Sequence, residues 1–61
     1  MSNDEKLLVE LLPPTGGGAI QYVVLREVES KVLLYIGEGI TAAKARAAAR
    51  AFAVSSGFKI I

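Results

Sequence analysis

The sequence predicts an α+β domain in which a three-stranded antiparallel sheet is packed by one C-terminal helix. Three observations carry that prediction. Residues 19–28 and 31–36 are rich in β-branched and aromatic side chains, and only Glu29-Ser30 separates them, which suits a tight hairpin. Residues 42–55 are mostly Ala with Lys and Arg, all strong helix formers. Ahead of both lies the leucine-rich segment 6–12, whose alternation supplies a third strand.

Each element has its own grounds. In segment 6–12, Leu7, Val9 and Leu11 alternate with Leu8, Glu10 and Leu12, whereas Leu8, Leu11 and Leu12 also fit one helical face. The strand is preferred. The helical alternative has support from Ser2-Asn3-Asp4-Glu5, which matches a capping box. Pro13-Pro14-Thr15-Gly16-Gly17-Gly18 continues neither element, because the prolines remove amide donors and the glycines add backbone freedom. It reads as a flexible connection. A phosphate-cradling loop would run directly into a helix, and this one leads into a strand.

Gly37 and Gly39 are expected to break the sheet, and Thr41 is placed to cap a helix running from Ala42 to about Ser55. Gly57 offers a left-handed stop. Residues 58–61 either add a short fourth strand at the sheet edge or pack back on the core.

A chain of 61 residues makes one small domain, residues 1–61, and buries only about 60% of its unfolded surface. Domains of this size usually gain stability from disulfides, metals or self-association. The chain has no Cys and no His, which removes the bridge and the usual zinc ligands, so no metal and no cofactor are expected. Self-association remains, and the 52% hydrophobic content points the same way. A charged N-terminus without a long apolar run fits neither a signal peptide nor a membrane span, so the expectation is a cytoplasmic protein without a membrane partner.

The formal charge of +1 conceals segregation: residues 1–38 carry six acids and three bases, and residues 39–61 carry four bases and no acid. Such asymmetry suits an anionic partner or head-to-tail pairing of copies.

At about 100° per residue, Ala45, Ala48, Ala49 and Phe52 share the inner side of the helix, and Arg46 and Arg50 fall on the other with Ala42 and Ala43. On the sheet, Leu7, Val9 and Leu11 with Val32, Leu34 and Ile36 are expected to meet the helix. The second face then holds Leu8, Leu12, Leu33 and Tyr35 among Lys6, Glu10 and Lys31, with either Val23 and Leu25 or Tyr22 and Val24 from the middle strand. One helix cannot cover both faces. Leu8, Leu12, Leu33 and Tyr35 are therefore the candidate interface of a homodimer, the alternative being a monomer screened by long Lys and Glu side chains.

Catalysis is not expected, because the common nucleophile and proton-transfer sets use His or Cys beside a base. Asp4, Glu5, Glu10, Glu27, Glu29 and Glu38 are scattered and read as solvated surface groups. Arg46 and Arg50, one turn apart, make an anion stripe with Lys44 to one side and Lys59 nearby. These four are the candidate nucleic-acid-binding residues, for duplex RNA or DNA, and the alternative is a solvated helix face.

The segment Gly37-Glu38-Gly39-Ile40-Thr41-Ala42-Ala43-Lys44-Ala45-Arg46-Ala47-Ala48-Ala49 resembles the C-terminal half of the double-stranded RNA-binding domain. In that family a Gly-Glu-Gly turn leads into a helix beginning Ser/Thr-Lys-Lys-x-Ala-Lys-x-x-Ala-Ala. The resemblance covers roughly residues 7–53 and implies a strand-strand-strand-helix order with phosphate contacts from the helix. Ala42 and Ala43 stand where the family has its two leading lysines, and Arg46 keeps a basic residue at a matching position. The family's first helix has no room before Lys6. The antitoxin of the Hic toxin pair, which lacks that helix and dimerises, is similar in architecture. The competing class of function is a protein-interaction or regulatory module acting through the second sheet face.

Overall fold

The computed structural model describes residues 6–61; the capping-box reading of residues 2–5 lies outside them. Strands β1 (Leu8–Leu11), β2 (Gln21–Glu27) and β3 (Leu33–Gly39) precede helix α1 (Ala42–Ser55), and a two-residue strand, β4 (Lys59–Ile60), follows it. The sheet order is β3-β2-β1-β4. β1 and β3 each run antiparallel to β2, and β4 runs parallel to β1. The predicted three-stranded antiparallel sheet and its helix are present, and the fourth strand makes the sheet mixed.

This topology explains where the helix lies. β3 and β4 run in the same direction at opposite edges, so α1 is a crossover that must span the sheet to connect them. Its small inner face lets it do so closely: Ala45, Ala49 and Ala53, spaced i, i+4, i+8, are fully buried with Val9, Val23 and Leu25. Phe52 stacks on Tyr35, with ring centroids 4.2 Å apart, and meets Phe58 edge-on at 6.2 Å. Leu11, Leu34 and Ile60 pack around this core.

Both helix ends are closed as the sequence predicts. The Lys44 amide donates to Thr41 Oγ1 at 3.1 Å. At the other end Gly57 has φ +77°, its amide donates to the Val54 carbonyl, and the Phe58 amide donates to the Ala53 carbonyl. That pair of bonds is a Schellman motif.

Three expectations about the sheet are corrected. Gly37 and Gly39 do not break it; they are the last turns of the pleat in β3. A Cβ on Gly37 would sit 2.5 Å from the Ala45 carbonyl oxygen, and one on Gly39 would sit 2.6 Å from the Ala45 nitrogen. These glycines are the sheet's half of a close contact with the alanine stripe.

The second correction follows from the first. Because Gly37 and Gly39 face the helix, Tyr35 faces it too, so Tyr35 belongs to the core and not to the second face as expected. Val32 and Ile36, expected inside, are exposed. A register shift between Leu25 and Arg26, with Leu25 opposite Tyr35 and Arg26 opposite Leu33, leaves Leu34 as an extra residue. Simple alternation therefore fails along β3. On β2 the open choice resolves to Val23 and Leu25 inside; on β1, Val9 and Leu11 are inside but Leu7 is exposed.

Third, the 13–18 connection is less free than its composition suggests. Thr15 and Tyr22 exchange both backbone hydrogen bonds, at 2.8 and 2.7 Å, extending the β1–β2 pairing past the prolines. The β2–β3 turn is wider than Glu29-Ser30 alone. Lys31 adopts φ +66° there, while the Glu27 carboxylate accepts from the Ser30 amide and hydroxyl and from the Glu29 amide.

Candidate nucleic-acid interface

Lys44, Arg46, Arg50 and Lys59 are all exposed. Their directions are set by the buried stripe. Taking Ala49 as the inward direction and turning about 100° per residue, Arg46 and Arg50 lie on one flank and Lys44 on the other. The side chain of Lys44 begins against β3, since a Cβ on Gly39 would lie 2.7 Å from the Lys44 Cβ. Phe52, on the same flank as Lys44, stacks over Tyr35 of β3.

The opposite flank faces the β4 edge. Arg46, Arg50 and Val54 follow one another at i, i+4, i+8, forming a ridge. Its far end opens into a depression of about 470 Å³ lined by Arg50, Val54, Phe58, Lys59, Ile60 and Lys6. The structure thus puts Arg46 and Arg50 on one flank of the helix, brings Arg50 and Lys59 into the lining of one depression, and leaves Lys44 on the other flank. Lys6 joins the group, an addition that sequence reasoning did not make. The parallel pairing of β4 with β1, in which Lys59 stands opposite Leu8 and its amide donates to the Leu7 carbonyl at 2.8 Å, brings Lys59 near Lys6.

Among the described residues the ion pairs are Arg26 with Glu10 at 2.5 Å and Lys31 with Glu10 at 3.8 Å. Both are remote from the ridge. The Glu10 carboxyl is held below its ordinary value by the Arg26 hydrogen bond first, with the Arg26 and Lys31 charges adding to it against some desolvation. Glu27 is lowered mainly by the Ser30 hydroxyl and amide. Neither group forms a cluster suited to proton transfer, and no group of three or more acidic side chains able to hold a metal ion occurs among the described residues.

The face of the sheet away from the helix is uncovered. Register places Glu10, Arg26 and Leu33 in one row, and Leu12, Val24 and Ile36 in the next, where the Leu12 amide donates to the Val24 carbonyl. Tyr22 and Glu38 make a third row, and Leu8 lies at the other end beside Lys59. Leu8, Leu12 and Leu33 are therefore on the expected second face; Tyr35 is replaced there by Ile36, 45% exposed, and by Tyr22. Among the described residues no helix is long and apolar enough to cross a membrane.

No family model, curated protein or solved structure matches this chain.

Proposed function

We propose that this chain is a small nucleic-acid-binding module that presents the Arg46–Arg50 flank of its helix to a phosphate backbone and works as a homodimer. The observation that carries the reading is the ridge itself. Two guanidinium groups one turn apart share a flank of the helix, Arg50 lines a depression with Lys59 and Lys6, and the two arginines have no carboxylate partner among the described residues. Guanidinium groups so arranged suit successive phosphates, since each offers several donors in a fixed fork. The resemblance of residues 37–49 to a double-stranded RNA-binding helix supports the same surface, with Arg46 at the matching basic position. Lys44 plays a lesser part, because it lies on the other flank.

So few cations give one copy a weak, salt-sensitive affinity. Pairing through the uncovered sheet face would give a dimer two ridges, one on each outer surface. The test is fluorescence anisotropy of labelled duplex RNA and duplex DNA at low and moderate salt. Wild type is expected to bind at low salt, and Arg46→Ala with Arg50→Ala to abolish most of that binding. Equal binding by the double variant, or none by wild type, refutes the assignment.

A second reading has its own observation. The row Leu12, Val24 and Ile36, flanked by Leu33 and Tyr22, is the kind of contiguous apolar surface that marks a protein interface. In this reading the module acts through a protein partner, and the ridge serves solubility. Sedimentation of wild type and Ile36→Glu decides whether that face mediates pairing: a dimer that Ile36→Glu converts to monomer supports it, and a monomer in both excludes self-pairing.

A further inference from the structure

The depression at the end of the ridge has a composition that the ridge lacks. Its lining combines three cations, Lys6, Arg50 and Lys59, with the apolar side chains of Val54, Phe58 and Ile60. Val54 is 67% exposed. Helix capping does not account for the cations. The final turn contains no basic residue, and the Ala53 and Val54 carbonyls already accept from the Phe58 and Gly57 amides. No acid among the described residues pairs with any of the three.

We propose that this depression binds one nucleotide unit of a single-stranded segment, with the phosphate among Lys6, Arg50 and Lys59 and the nucleoside over Val54, Phe58 and Ile60. This rests on the nucleic-acid reading and adds a place to it, since Arg50 belongs to both ridge and depression. A volume of about 470 Å³ lies within the ordinary range of small-molecule sites. A purely phosphate-binding surface has no use for an apolar floor, and a purely apolar pocket has no use for three cations. A nucleotide needs both, and a base paired within a duplex cannot reach the floor.

The test uses three probes on the whole chain: adenosine monophosphate, inorganic phosphate, and a short labelled oligothymidylate. In wild type, adenosine monophosphate is expected to shift the Val54 methyl and Phe58 amide resonances and to bind about tenfold more tightly than inorganic phosphate. Lys6→Gln with Lys59→Gln, both exposed positions, should abolish those shifts and make the salt slope of oligothymidylate binding shallower by up to about 0.7, the contribution of one phosphate on a single strand. The proposal is overturned if adenosine monophosphate leaves Val54 and Phe58 unmoved, if it binds no better than inorganic phosphate, or if the lysine variant behaves as wild type. A loss of oligothymidylate binding in Arg46→Ala alongside an unaltered lysine variant removes the depression and keeps the ridge. Adenosine monophosphate seated at Val54 and Phe58 with no oligonucleotide bound by wild type overturns both the single-strand assignment and the ridge.

Discussion

At the scale of single residues, two side chains carry more than their exposure suggests. Glu10 joins Arg26 and Lys31 across the uncovered sheet face, and Glu27 closes the β2–β3 turn through Ser30 and Glu29. Both carboxyls have folded-state values below the ordinary value of 4.5. A lowered carboxyl pKa contributes stability that is present above 4.5 and is lost as pH falls through the folded value. Urea midpoints measured downward from neutral pH should therefore begin to drop below about pH 4.5, and Glu10→Gln with Glu27→Gln should flatten that fall. Lys31 is the other residue to probe. Its φ of +66° belongs to the left-handed region, which costs a non-glycine residue roughly 1–2 kcal/mol. Lys31→Gly should leave the protein equally stable or slightly more so, despite losing the distant Glu10 contact; a clear fall in the urea midpoint would show that the contact outweighs the strain.

At the scale of elements, the helix and β3 fit each other through absent side chains. Gly37→Ala places a methyl 2.5 Å from the Ala45 carbonyl oxygen and 2.7 Å from the Ala49 nitrogen, both backbone atoms that cannot swing aside. The expected cost is about 1–3 kcal/mol by thermal or urea denaturation, the range for forcing extra carbon into a packed core. Gly17→Ala is the internal control, since a methyl there meets nothing within 4 Å and its φ is not positive. It should be neutral or stabilising by up to about 1 kcal/mol through the unfolded chain. Thr41→Ala should cost about 1 kcal/mol by removing the acceptor of the Lys44 amide. The helix was legible to the residue, from the Thr41 cap to the Gly57 stop, because its signals are local. β3 was not. Whether Gly37 and Gly39 end a strand or lie beneath a helix depends on what packs against them, and the extra residue at Leu34 then inverts the face on which Tyr35 and Ile36 stand. Lys6 was placed on the second sheet face and not linked to Lys59 for a related reason: the two are brought together by a parallel pairing between opposite ends of the chain, which no periodicity encodes.

At the scale of the molecule, one crossover arranges every surface. α1 spans the sheet from the β3 edge to the β4 edge, so one flank rests on β3 and the other carries Arg46 and Arg50, with Arg50 lining a depression shared by Lys59 and Lys6. The sheet's second face remains bare, with Leu12, Val24 and Ile36 at its centre. A chain this small gains stability if that face pairs with a second copy, and the pairing would give the dimer a second ridge on its opposite outer surface. The claim on which the account turns is that Arg46 and Arg50 meet phosphates. The salt dependence of binding measures this directly, because each phosphate neutralised on a duplex contributes about 0.9 to the slope of log affinity against log salt. Comparison of wild type with Arg46→Ala, Arg50→Ala should show the slope becoming shallower by about two for each copy bound. Identical slopes in the two proteins would contradict the account.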